Sequence, residues 1–236
     1  MDRHRSFLRV AHRLADCDVV LYDRRGYAAS RHAAPPVRSI LDHAADLVHV
    51  LGGVPSIVVG HSYGGTIALT VAAARPDLVQ AAVVYEPPLP WTLWWQPQPG
   101  QPRLAALVDG ADPGDAAESF VSRMIGEQRY NRLSASTRAE LRADGPALVA
   151  EMMAIRRDPP PFEASQITVP VVVSRGSLAA DRHVKAAGWL AAELPKAELR
   201  VVEGAAHGAH QSHPEEMAAL VRRAIVLARA AAGTPG

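Results

Sequence analysis

Between a β-branched run, Ser56-Ile57-Val58-Val59, and a helical pattern carrying Ile67, Ala68 and Val71 stands Gly60-His61-Ser62-Tyr63-Gly64-Gly65. The spacing Gly60-x-Ser62-x-Gly64 fits a nucleophile elbow, in which the serine occupies a strained position at a strand tip and residues two away on either side must be small. A helix beginning beneath the serine favours developing negative charge, and the backbone N–H of Tyr63 is the expected oxyanion donor. A serine hydroxyl is a weak nucleophile and needs an adjacent base. Candidates stand in VVEGAAHGAHQSHPEE, which carries His207, His210 and His213 after the last strand-like run. A short turn of small residues brings His207 back over the carboxyl edge of the sheet, where Ser62 is expected, so His207 is the candidate base. His210 and His213 are expected to border the final helix as exposed or capping residues. Strand alternation sends His61 to the other side of the sheet.

These groups need a sheet to hold them. Five β-branched runs alternate with helical patterns: Cys17–Asp23, Ser56–Gly60, Ala81–Tyr85, Val169–Ser174 and Glu198–Glu203. Near-continuous Val and Ile suit strands covered on both faces, and the alternation implies an α/β fold with a doubly wound, mostly parallel sheet. Ile40, Ala44, Leu47 and Leu51 draw one stripe on a helix that stops at Gly52-Gly53. From Ser212, Ser-His-Pro-Glu reads as a capping box ahead of a helix with Met217, Leu220, Val221, Ala224 and Ile225 on one face. About 80 residues separate the third run from the fourth, bordered by PPLPWTLWWQPQPGQP and RDPPPFEAS, with helical patterns at Asp115–Ile125, Ser136–Ala143 and Ala147–Ile155. This interval reads as an inserted helical lid, residues 87–167, in a core of residues 1–86 and 168–236. Trp91, Trp94 and Trp95 on its first limb either line an apolar, substrate-binding pocket or staple the lid to the core.

The chain has 236 residues, 48% of them apolar, enough for one substantial core. Lys plus Arg (25) nearly cancels Asp plus Glu (24), so there is no electrostatic footprint for nucleic acid or an anionic membrane, and small neutral or apolar ligands are the expected partners. The single cysteine, Cys17, reads as a buried thiol suited to a reducing compartment. No secretory h-region or membrane-spanning stretch is visible, which points to the cytoplasm. The composition does not address oligomeric state.

With these motifs in view the chain resembles the α/β-hydrolase fold family, specifically its Ser-His-acid hydrolases with a helical cap. DRRGYAAS (23–30) resembles the turn after the fold's fourth strand, GHSYGG its elbow, ITVPVVVSRG its penultimate strand and EGAAHGAH its histidine loop. The likeness runs from about Phe7 to the C-terminal helix and is weakest in the lid. It implies acyl-enzyme chemistry on a small, mainly apolar ester, thioester or lactone, with no cofactor and no metal. Acyl transfer or perhydrolysis by the same residues, and a non-catalytic ligand-binding relic of the fold, are the alternatives.

Two departures from the family pattern stand out. The acid expected three residues after Gly176 falls on Ala179; Asp181 lies two further on, where it can also cap a helix, while Glu86 at the end of the strand after the elbow is the rival, fixed by Pro87-Pro88. Glu86 is preferred, with Asp181 as the alternative acid. The family also has strands before the helix that here spans Arg5–Leu14, and a His-Gly loop that gives a second oxyanion donor. This sequence starts at about that loop's end. The expectation is an N-terminally truncated fold whose natural chain begins upstream, and one lost oxyanion donor would slow the 236-residue form by about 10² to 10³.

Overall fold

The computed structural model describes residues 3–33, 35–95 and 112–233. The part of the proline-rich border at 96–102 therefore lies outside the described residues. By contacts the chain divides into two units, one of Met1–Arg3, Tyr22–His43 and Pro90–Pro159, the other of His4–Leu21, Ala44–Leu89 and Pro160–Gly236.

The second unit holds the sheet. Four strands, β1 (Ser56–His61), β2 (Val79–Tyr85), β3 (Val171–Gly176) and β4 (Ala197–Val202), lie parallel in the order β1-β2-β3-β4. The register pairs His61 with Tyr85 and Tyr85 with Ser174, so the carboxyl ends of β1, β2 and β3 are level. Helices cover both faces. On one, Ala81, Val83 and Tyr85 of β2 pack with Val10 and Leu14 and with Met217, Val221 and Ala224 of α10 (Pro214–Ala231). On the other, Gly65 of α3 (Tyr63–Ala74) lies against Val84, and α3 is buried almost throughout. Both faces being covered is why β2 and β3 read as nearly unbroken apolar runs, whereas β4, at the sheet's edge, is largely exposed and carries Glu198 and Arg200. The stripe on 40–51 is observed as α2 (Ile40–Leu51), stopped where Gly52 (φ 58°) and Gly53 (φ 81°) take the left-handed conformations of a helix C-terminus.

Three expectations need correction. Cys17–Asp23 is not a strand: residues 18–24 have no ladder, and Val20 is 72% exposed. β propensity reports fit to a neighbouring strand, and among the described residues β1 pairs only with β2. The N-terminal helix is fragmented into 3₁₀ turns (His4–Phe7, His12–Leu14) around α1 (Leu8–Ala11). No capping box opens α10, because Ser212 bonds Gly208 O and His213 Nδ1 instead.

The first unit carries α4 (Pro113–Ile125), α5 (Glu127–Asn131), α6 (Ala135–Ala143) and α7 (Gly145–Arg157). Asp112 caps α4 through the amides of Gly114 and Asp115, and Ser134 caps α6 through that of Thr137. Two buried acids tie this unit together. Asp144 takes Arg3 and Arg31, each at 2.7 Å. Glu151 of α7 accepts from Tyr27 Oη and pairs with His43 Nε2, each at 2.7 Å, and it also pairs with Arg24. Residues 22–43, read as core from the sequence, thus group with α7.

The elbow's steric demand is unequal. A Cβ on Gly60 would lie 2.3 Å from Gly64 O and 2.6 Å from Gly65 Cα, whereas one on Gly64 meets nothing within 4 Å. The sequence reading treated these two glycines alike. Gly60→Ala is therefore expected to cost about 3 kcal/mol or more, and Gly64→Ala to stay within about 1 kcal/mol of the parent, in urea unfolding. Equal losses for the two variants would contradict this packing.

Candidate active site

β1 delivers Ser62, and the chain bends there abruptly: φ is 51° and ψ −127°, a conformation that side chains other than glycine's rarely adopt. The bend is held from both sides. Ser62 N–H donates to Tyr85 O at 2.8 Å, and Ser62 O accepts Gly65 N–H at 2.8 Å. Tyr63 is the first residue of α3, so its N–H belongs to the turn at which the helix presents its positive end.

One strand over, Glu86 repeats the device. It follows β2 with φ 47°, donates its N–H to Ser174 O at 2.9 Å, and is completely buried. Its Oε1 accepts the Gly176 N–H at 3.0 Å, and its Oε2 lies 2.7 Å from His207 Nδ1. Burial pushes the carboxyl's pKa up. The hydrogen bonds from His207 and Gly176, with the charge of a protonated His207, outweigh it and hold the carboxyl below its ordinary value. An ionised carboxylate can only accept, so in the neutral imidazole of His207 the proton is on Nδ1 and Nε2 keeps its lone pair.

His207 sits in the loop after β4, beyond a left-handed Gly204 (φ 69°). Tyr85 Oη donates to Ala206 O at 2.9 Å, and a Cβ on Gly176 would lie 1.9 Å from Ala205 O, so this loop lies close on the tips of β2 and β3. The His207 side chain is 24% exposed.

His61 was expected on the other side of the sheet, as a structural neighbour of the serine. Alternation does send it to the α10 face, where its ring lies 6.0 Å from that of Tyr85, but the histidine loop descends on that same face. His61 Nε2–H donates to His207 O at 2.6 Å with the rings 4.6 Å apart, which brings the residue before Ser62 against the loop. His210 is a second correction. It is buried in α9 (Ala209–Ser212), with its ring 4.4 Å from His61 and stacked on Phe7 at 4.7 Å. His183, which the sequence did not single out, lies on α8 (Asp181–Glu193) with its ring 4.8 Å from that of His207. Asp181 is exposed on the first turn of α8, past the N-cap position, which Ala180 occupies without a side-chain hydrogen bond. His213 is half-buried ahead of α10. Trp91, Trp94 and Trp95 are half-buried in the first unit, Trp94 against Trp95 at 6.1 Å.

Burial, then the neighbouring His207, push the His183 pKa down to about 3 from 6.5. The unfolded chain therefore binds a proton there that the folded one refuses, and the stability associated with neutral His183 is complete above pH 6.5 and lost as pH falls toward 3. Between pH 6.5 and 5.5 the parent is expected to lose about 1 kcal/mol more than His183→Gln, read from urea midpoints at each pH. Parallel pH profiles would show that His183 is not desolvated in this way.

The sequence profile of the alpha/beta hydrolase family matches residues 3–220. Pimeloyl-[acyl-carrier protein] methyl ester esterase of Chromobacterium violaceum is 32% identical over 222 residues, 89% of this chain and 85% of that protein. Lipase LipV of Mycobacterium tuberculosis is 39% identical over 84 residues, and that match spans 35% of this chain and about a third (32%) of the lipase's length. Among solved structures, an esterase from Thermogutta terrifontis superposes with a TM-score of 0.70 at 18% identity, covering 96% of this chain and 86% of that one, a likeness of fold. With a level parallel sheet wrapped by helices and a strand-to-helix bend at Ser62, the chain belongs to the alpha/beta hydrolase family of enzymes.

Proposed function

We propose that this protein is a serine hydrolase that cleaves a small, mainly apolar carboxylic ester through an acyl-enzyme. The observation that carries the reading is the 2.7 Å contact between His207 Nδ1 and the buried Glu86 carboxylate, with the His207 carbonyl held by His61, the residue before a serine at φ 51°. In this reading His207 Nε2 takes the Ser62 hydroxyl proton as Oγ attacks the ester carbonyl. The C–O π pair moves to oxygen, and the resulting oxyanion meets the Tyr63 N–H. The imidazolium then returns the proton to the departing alkoxide, and water repeats the sequence to release the acid. Glu86 holds the imidazole in the tautomer that makes Nε2 the base and stabilises the cation formed.

The curated relatives support carboxylic esters as the substrate class, since one is a methyl ester esterase and another a lipase. A thioester or lactone would pass through the same steps, and acyl transfer or perhydrolysis differs only in the acceptor of the acyl group. The helical segment 87–167 is proposed as the lid, with Trp91, Trp94 and Trp95 supplying apolar contact to the acyl chain. No helix among the described residues is long and apolar enough to cross a membrane.

A fluorophosphonate probe tests the reading, because phosphonylation demands an activated serine. One adduct, on Ser62, absent from His207→Ala, is expected by intact-mass and peptide analysis. A folded protein that hydrolyses no short ester and takes up no probe would make it a ligand-binding relic instead.

A further inference from the structure

The imidazole of His183 does nothing in the chemistry just described, yet it is buried on the first turn of α8 beside the two groups that matter. One ligand atom from each of Glu86, His183 and His207 lies within 4.8 Å of the others. Two neutral imidazoles and one carboxylate make a donor set that suits zinc and its neighbours in the first transition row and is poor for magnesium or calcium, which prefer all-oxygen shells.

We propose that Glu86, His183 and His207 form a binding site for a zinc ion that switches the enzyme off. Zinc bonds of about 2.0 to 2.2 Å place tetrahedral ligands roughly 3.4 Å apart, so the Glu86–His207 pair would open slightly and His183 would close in. The supporting contacts are already present. The Gly176 N–H fixes the carboxylate through Oε1, leaving Oε2 for the metal, and His61 holds the loop that carries His207 through its carbonyl. A partly exposed His207 gives the ion a way in and leaves room for a water as fourth ligand.

The switch follows from proton bookkeeping, and this part rests on the reading of His207 as the base. A neutral imidazole has one N–H. When Nδ1 gives its lone pair to zinc, the proton it carried toward Glu86 moves to Nε2, through solvent, and no proton is gained or lost overall. Nε2 then has no lone pair with which to take the Ser62 proton, so the nucleophile is not activated. Zinc thus acts by fixing the wrong tautomer, without touching the serine. Removing the metal with a chelator restores the original one.

Two readouts separate the site from the hydrolase reading. Zinc binding is measured by competition with a chromophoric chelator, and hydrolysis of a short p-nitrophenyl ester is measured with and without zinc. The parent is expected to bind one zinc that magnesium does not displace. His183→Gln and Glu86→Gln should weaken that binding by about 100-fold or more, and His210→Asn should not. The zinc concentration that halves activity should rise by the same factor in His183→Gln, and excess chelator should restore the rate. Binding unaffected by His183→Gln, or hydrolysis insensitive to zinc at concentrations that fill the site, overturns the proposal and leaves the hydrolase reading standing. Zinc bound as described by a protein that hydrolyses no ester supports the site and overturns the hydrolase reading with its switch.

Discussion

Ser62→Ala is expected to lower kcat/KM for a short ester by about 10⁴ to 10⁶, to background, with the fold intact. In the proposed mechanism the magnitude follows from losing the atom that forms the covalent intermediate: base, carboxylate and oxyanion donor then have no nucleophile to serve. A companion change separates chemistry from structure. Ser62 sits at φ 51°, and such a residue carries roughly 1 to 3 kcal/mol of strain that glycine does not. Ser62→Gly should therefore be as inactive as Ser62→Ala. Part of its strain relief is offset by the greater backbone freedom of glycine when unfolded, leaving a gain of about 1 kcal/mol in urea unfolding. An inactive variant more stable than its parent is the signature of a position kept for function. Retention of a tenth of the parent's activity in either variant would remove Ser62 from the nucleophile's role.

Glu86→Gln should cost about 10³ to 10⁴ in kcat with little change in KM, the scale found when the acid of a Ser-His-acid triad becomes an amide. Shape is preserved, but an amide beside His207 Nδ1 no longer demands a proton there. The imidazole is free to carry its hydrogen on Nε2, where it is useless as a base. Asp181→Asn is expected to leave kcat within twofold of the parent, about the noise of such assays, because Asp181 is exposed at the head of α8 while Glu86 makes the contact to His207. Steady-state rates of the two variants at pH 8 decide the matter, and the opposite ranking would move the acid to Asp181.

The parts of this molecule legible in its sequence are those written locally. Four of the five β-branched runs are strands with nearly the expected limits: β2 and β3 because a strand buried on both faces is apolar along its length, and β4 through its valines although it is largely exposed. The fifth, Cys17–Asp23, had the same composition without a partner in the ladder, and pairing is a property of the neighbour. Ser62 and His207 could be singled out because each lies in a short motif that makes a turn as well as a side chain. Glu86 was legible only as one of two options, since the groups that hold its carboxylate, the Gly176 amide and His207, lie 90 and 121 residues away. His61, His183 and His210 have no local signal. His61 meets His207 across 146 positions, and Tyr27 meets Glu151 across 124, by folds of the chain that no periodicity records. A signal for His61 could have been found by following alternation one step further, to ask what else lies on the face it points to.

The level tips of β2 and β3 have a consequence for how such enzymes diverge. Both donors that greet the carboxylate, the amide at Gly176 and the imidazole, are fixed by the frame, whichever strand supplies the acid. An oxygen arriving from the β3 side would find the same reception as one from β2. A lineage can therefore hand the acid from one strand to its neighbour through an intermediate that carries both, while serine and histidine never move.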